Sequence, residues 1–440
     1  MISLLRIISL IFASFRAIWY FFEAAFDSIF KALHYRTGRT GEAPVKSSTP
    51  TLTLELQSYH ESEEHTVFNE PEPRSRSQNL IYRAHGCAWW VRVTFQGTIY
   101  HLSEVGNDGK KKKSERRKEF QEFVKSINYH PLSLLDDTVT EVILTLSTER
   151  PCLIEVHSES HNERNVFINH ATHFDCEIRE DPLRFVYPLL SEFTTFEAID
   201  VSSVEIKSEI ADDRVFRVRL HHRGVQDYIY KTVDRPFYRT SDTEAIRKEL
   251  ENLDYFKNAP HIVQPAGVVV SPNPYTTSKQ DDNPLVITGI LLEYYSGGSL
   301  KQILSENRLQ DYDWQQWPFQ VGTALSLLHD AKQTHMDVKL SNMVCDEKGN
   351  AFLIDISGIG GVTYDWLAPE MRCEGPDESF RARRLNDTWA YGKLLLEIAS
   401  HAGCHPFTTQ MQNIAGELMR EDSHSRMSVS DAVIQLRQFK

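Results

Sequence analysis

The amino-acid sequence predicts an α+β protein built from more than one domain, on three observations. The chain has 440 residues, more than a single domain usually holds. Runs of β-branched and aromatic residues of strand length alternate with stretches whose apolar residues recur at helical spacing. Between Thr37 and Gln78 that periodicity lapses into Ser, Thr, Glu, Pro and Gly, which sets an apolar N-terminus apart from the remainder.

Composition narrows the function classes. Hydrophobic residues make up 41% and charged ones 25%, an ordinary globular balance. A net charge of −13 gives no global attraction to nucleic acid, so no nucleic-acid partner is expected. The six cysteines (Cys87, Cys152, Cys176, Cys345, Cys373, Cys404) form no Cys-x-x-Cys pair. That argues against a zinc ribbon or a disulfide framework and fits a reducing, intracellular compartment.

Residues 1–36 read as an amphipathic helix. At about 100° per residue, Arg6, Arg16, Glu23, Asp27 and Lys31 share one arc, while Ile8, Phe12, Phe15, Trp19, Phe22 and Phe26 fill the rest. One reading lays this helix in the headgroup layer at the cytoplasmic face of a membrane, with Trp19 and the phenylalanines as anchors. Another packs it on its own protein. A transmembrane span is interrupted by Arg16 and Glu23, and no small-x-small site follows for cleavage of a secretory signal. Residues 37–78 cannot bury enough apolar surface to offset their ordering entropy and are expected to be a disordered linker.

Residues 79–200 read as a small α+β domain. CAWWVRVTF and TIYHL are strand-like runs split by Gln96-Gly97, a hairpin signal. SERRKEFQEFVKSI reads as a helix with Phe120, Phe123 and Ile127 on one side, and Thr140–Leu146 and Leu153–His157 read as strands. The basic cluster Gly109–Lys113 with Arg116, Arg117 and Lys118 reads as a solvated turn and helix start, with contact to anionic lipid as the alternative. No catalytic constellation lies here.

From residue 201 onward the order is strand hairpin (RVFRVRL, DYIYKTV), helix (TEAIRKELENL), two strands (AGVVV, ITGILLEYY) and then helices. Asp313–His329 is amphipathic, with Trp314, Trp317, Val321, Ala324, Leu325 and Leu328 at helical spacing. It leads into the stretch Gln333–Glu370, which is rich in chemistry. There His335 and Asp337 stand as His-x-Asp, Lys339 follows two residues later and Asn342 five later. Asp355 ends the apolar run Ala351–Ile354, and Ala368-Pro369-Glu370 closes the segment. Phosphoryl transfer needs such a set, because catalysis there is mostly positioning and charge neutralisation.

This order resembles the catalytic and magnesium loops of the eukaryotic protein kinase superfamily, H-R-D-x-x-x-x-N, D-F-G and A-P-E, over residues 201–440. The resemblance implies a bilobal domain with a β-rich small lobe and a helical large lobe. It implies ATP and Mg2+ as cofactors and a protein substrate. By the same resemblance Asp337 is the catalytic base and Lys339 steadies the transferring phosphoryl, while Asn342 and Asp355 are the metal ligands. Lys231 pairs with the phosphates and with Glu249, Glu251 being the fallback, and Val218 covers the nucleotide. Leu292 is the gatekeeper, and Glu293 to Tyr295 form the hinge that binds adenine. Asp387 braces the catalytic loop, and Arg426 pairs with Glu370. The lysine two residues after Asp337 suits a serine/threonine kinase.

The sequence departs from the family in four places. Aligned on Val218, the glycine-rich loop has Ala211, Asp213 and Phe216 where glycines let backbone amides approach phosphate. Ile229 replaces a small residue over adenine, D-F-G has become Asp355-Ile356-Ser357, and the arginine of H-R-D is Met336. With that arginine gone and the segment from Asp355 to Ala368 short, activation by loop phosphorylation is not expected. If the lost cradle equals one preorganised donor, about 3–4 kcal/mol, the rate falls by about 10²–10³. A pseudokinase that serves as a binding scaffold is the alternative function.

Overall fold

The computed structural model describes residues 52–62, 73–99, 111–146, 154–157, 165–211, 214–233, 241–278, 283–359, 363–373 and 378–438. The amphipathic helix expected at residues 1–36 lies outside the described residues. Among the described residues no helix is long and apolar enough to cross a membrane.

The first sheet has five strands in sequence order: β1 (Thr53–Glu61), β2 (Ser75–Ala84), β3 (Cys87–Gln96), β4 (Val139–Leu146) and β5 (Phe174–Glu180). Two expectations are corrected here. The linker expected at 37–78 contains β1 and the start of β2. Strand β1 escapes a periodicity search because its inward residues Leu54 and Leu56 lose step with Tyr59 at a register shift, and because an edge strand carries polar residues. The expected hairpin at Gln96-Gly97 lies instead at His85-Gly86, where Ala84 pairs with Cys87 and both turn residues have positive φ. That two-residue loop of left-handed backbone matches the twist of the flanking strands.

Helix α1 (Lys113–Ser126) then crosses from β3 to β4, which run parallel. It buries Phe120 and Phe123 as predicted. They join Phe95, Phe167 and Phe174 in an aromatic core, with Phe123 and Phe167 stacked at 5.5 Å. Arg116, expected in a solvated helix start, is buried and forms an ion pair with Glu61 of β1 at 2.5 Å. Of the expected strand 153–157, the described part holds only a bridge between Val156 and Ile127.

The second sheet has the order β6-β10-β11-β9-β8-β7, from β6 (Ala198–Asp200), β7 (Val204–Ala211), β8 (Val215–Leu220), β9 (Asp227–Thr232), β10 (Pro265–Pro272) and β11 (Leu285–Glu293). Helix α2 (Asp242–Tyr255) lies between β9 and β10 in the chain and buries Ile246, Leu250 and Leu253. The expected boundary at residue 200 is also corrected. Phe185, Tyr187, Phe193 and Phe196 pack into the same core as α2, and β6 pairs in parallel with β10. Beyond these elements the chain is mainly helical: α3 (Leu300–Ser305), α4 (Trp317–Asp330), α5 (Phe380–Ala402), α6 (Pro406–Leu418) and α7 (Val429–Arg437). A small sheet of β12 (Gly298–Ser299), β13 (Met343–Cys345) and β14 (Ala351–Leu353) sits among them. It brings Asn342 and Asp355, 13 residues apart in the numbering, to the ends of neighbouring strands. The chain is thus α+β, with a sheet-rich small lobe and a helical large lobe.

Candidate active site

Alternation along β9 turns Lys231 and Ile229 to one face and Tyr228 and Tyr230 to the other, where the tyrosines join an apolar cluster with Val218, Leu220, Val269 and Leu291. The Lys231 ammonium meets both carboxylate oxygens of Glu249 at 2.8 and 2.7 Å and Asp355 Oδ1 at 2.9 Å. Glu249 is the partner, because Glu251 is exposed and pairs with Lys248. Burial disfavours the Lys231 charge, but Asp355 and Glu249 outweigh it and hold the ammonium well above the usual lysine range. In turn the Lys231 charge depresses the Asp355 carboxyl below the ordinary aspartate value, against the cost of desolvation. Asn252, one turn beyond Glu249 on α2, donates to the Ile356 carbonyl at 2.5 Å. Helix α2 therefore holds the Asp355 segment directly through Asn252 and indirectly through Glu249 and Lys231.

Val218 is a correction. It stands opposite Tyr228 and is buried on the sheet face away from Lys231. Val215 is the residue opposite Lys231, and Arg217 lies opposite Ile229. Taking Val215 as the reference puts Ser208, Ile210 and Asp213 at the glycine positions, so either alignment lacks glycine. Arg217 also lies over the Tyr294 ring, 4.5 Å from its centroid, and pairs with Asp227.

The loop at Asp337 is held from below. Asp387, fully buried on α5, accepts the backbone N–H of His335 and of Met336, each at 2.8 Å, on separate carboxylate oxygens. His335 Nδ1 accepts from the Asp337 amide, while its Nε2–H donates to the Ile354 carbonyl at 2.8 Å. Met336 has φ +66° and Asp355 has φ +59°, backbone that non-glycine residues adopt only when their surroundings enforce it. Met336 packs with Leu367, Ala368 and Met371, so a thioether fills an apolar cluster at the position of the family's arginine. Arg426 clasps Glu370 through both carboxylate oxygens, at 2.5 and 2.9 Å.

Around Asp337 the polar contacts converge. Lys339 Nζ lies 2.6 Å from Oδ2, and Asn342 Nδ2 donates to the same oxygen at 3.0 Å. Thr363 donates its hydroxyl to Oδ1 at 2.9 Å and accepts from Lys339 at 2.8 Å. Sequence reasoning missed Thr363, whose only signal is its position shortly before Ala-Pro-Glu. It also missed Asn252, Arg217 and Phe185.

A cavity of about 550 Å³ joins the two groups. Lys231, Glu249, Asp337 and Asp355 line it, with Arg214, Ile246 and Phe185. Glu293 and Tyr295 are not among its lining residues. The Glu293 amide donates to the Gln264 carbonyl, and the Tyr295 ring stacks on Phe352 at 4.4 Å. Among the described residues no cluster of three or more His, Cys, Asp or Glu could hold a metal by itself. Asp355 and Asn342 could supply two oxygen ligands, a number that would suit Mg2+ shared with substrate phosphates and water.

The Lys231–Glu249 pair thus stands on the sheet-rich lobe and the Asp337 loop on the helical one, with the cavity between them. Residues 214–438 match the protein kinase domain family, and the chain belongs to that family. It is similar to mitogen-activated protein kinase kinase kinase 1b of Physcomitrium patens, 26% identical over 35% of this chain and 21% of the relative. It is also similar to the serine/threonine-protein kinase pak-2 of Caenorhabditis elegans, 26% identical over 32% of this chain and 28% of that protein. The MAP kinase kinase skh1/pek1 of Schizosaccharomyces pombe is 32% identical over 25% of this chain and 33% of its own. The chain thus spans about a fifth to a third of the length of these relatives.

Proposed function

We propose that this chain is a serine/threonine protein kinase that transfers the γ-phosphoryl group of ATP to a hydroxyl of a protein substrate. One observation carries the reading: Lys231, Glu249 and Asp355, joined by ion pairs, line one cavity together with Asp337, which Lys339 and Asn342 contact in turn. Asp337 orients the attacking hydroxyl and accepts its proton, and Lys339 places positive charge beside the transferring group. Lys231, fixed by Glu249, holds the nucleotide phosphates. Asp355 and Asn342 would hold Mg2+, which would neutralise phosphate charge when bound. Thr363 ties Lys339 to Asp337 and keeps the pair in register for a small aliphatic hydroxyl. The full chain is expected to incorporate labelled phosphate into a Ser/Thr substrate or into itself, and Asp337→Asn to abolish it. Equal incorporation by parent and variant would sink the assignment.

The second reading is a pseudokinase scaffold. It draws on the glycine-free β7–β8 loop, and on Arg217 capping Tyr294 of the hinge opposite Ile229. It forecasts little thermal shift with Mg-ATP. A shift that disappears in Lys231→Ala would refute it.

A further inference from the structure

We infer that the five-stranded sheet domain is a built-in positioning device for Glu249, acting through a relay of four aromatic side chains. The inference rests on the kinase reading above for what Glu249 does, but its geometry stands independently. Trp90 of β3 meets Tyr275 edge to face at 5.5 Å. Tyr275, in the loop between β10 and β11, meets Tyr187 at 5.4 Å, and Tyr187 meets Phe185 at 4.8 Å. Phe185 is 2% exposed and lines the cavity beside Ile246 and Glu249 of α2. The relay thus ends on the wall that carries the Lys231 partner.

Each joint is also fixed by polar contacts. Trp90 Nε1–H donates to the Pro274 carbonyl at 3.0 Å, and the Ala88 amide to the Thr277 carbonyl at 2.9 Å. Asp137, just before β4, and Thr277 exchange reciprocal hydrogen bonds of 2.8 and 2.9 Å. Downstream, the Val186 amide donates to Thr243 Oγ1 in the first turn of α2 at 3.0 Å. Glu192 pairs with Arg247 of the same helix at 2.5 Å, and Arg247 lies over Phe193. Val139 of β4 belongs to the same apolar core as Ile246 and Leu250 rather than to the core of its own sheet. The strap 185–196 therefore packs on α2 through Val186, Glu192 and Phe193, with Phe185 at the cavity wall, and the sheet domain anchors the strap. Aromatic pairs gain from offset and edge geometry beyond buried area, so ring identity matters along this path.

The test uses the full chain and does not depend on turnover. Amide hydrogen exchange is followed over residues 242–255 in the parent, Trp90→Leu, Phe185→Leu and Trp90→Phe. The leucine variants are expected to lose at least about tenfold protection in α2 while β2–β4 and α4 stay protected, as separate opening units allow. Trp90→Phe, which keeps a ring, is expected to retain most of the protection. Where the parent phosphorylates, kcat is expected to fall in the leucine variants, with KM for the protein substrate held. Unchanged α2 exchange in both leucine variants would overturn the inference even in an active enzyme. Altered exchange in a chain without kinase activity would support it while removing the reading of Glu249 as catalytic support.

Discussion

Asp387→Asn tests whether the catalytic loop is held by one buried carboxylate. In the parent, Oδ2 receives the His335 amide and His329 Nε2, and Oδ1 receives the Met336 amide. Asparagine offers a single acceptor oxygen, so its NH2 must face one of these N–H donors. One hydrogen bond to a charged group, about 1.5–3 kcal/mol, becomes a neutral one, and a buried donor is left unsatisfied at about 1–3 kcal/mol. The bonds also hold Met336 at φ +66°, and the strain of such a residue, about 1–3 kcal/mol, favours its release once they weaken. The expected total is a loss of about 2–4 kcal/mol, since relief of that strain offsets part of the cost. Urea unfolding should show a lower midpoint at constant m-value. Phosphate transfer should fall more than the folded fraction explains, because the Asp337 backbone follows directly. A variant within about 0.5 kcal/mol of the parent, with unaltered transfer, would refute the bracing role.

The remaining predictions concern other joints. Arg116→Met leaves Glu61, 3% exposed, without its cation, and should cost about 3–5 kcal/mol in thermal unfolding, with Glu61→Gln in the same chain recovering most of it. Gly358→Ala should cost at least about 2 kcal/mol, since φ is +67° and a Cβ would strike the Thr334 carbonyl oxygen. Asp355 has its carboxyl depressed below 3.8 by Lys231, so its stabilising share is complete above that value and is lost as pH falls through the depressed one. Unfolding titrations should therefore show this share steady from neutral pH to about pH 5 and declining below about pH 4. In Asp355→Asn that part of the acid slope should vanish. Met336→Arg, which puts a guanidinium among Leu367, Ala368 and Met371, should lower the unfolding temperature and leave activity insensitive to phosphatase treatment.

The sequence by itself determined the parts that are local in the chain. Asp337, Lys339 and Asn342 lie on one loop whose spacing places them together, and Asp355 is delivered by the strand paired to that loop's exit. Helical periodicity likewise marked α2, while the choice of Glu249 over Glu251 came from the structure, where Glu251 is exposed and pairs with Lys248. Only the tertiary structure decided what depends on pairing between distant segments. Register alone shows that Val218 faces away from Lys231, since a slip of one residue exchanges the two faces of a strand. The bulged edge strand β1 gains its order from β2, not from its own pattern. Phe185 acquires its place beside α2, and Trp90 its place against Tyr275, through contacts between residues far apart along the chain, and no local spacing encodes such contacts.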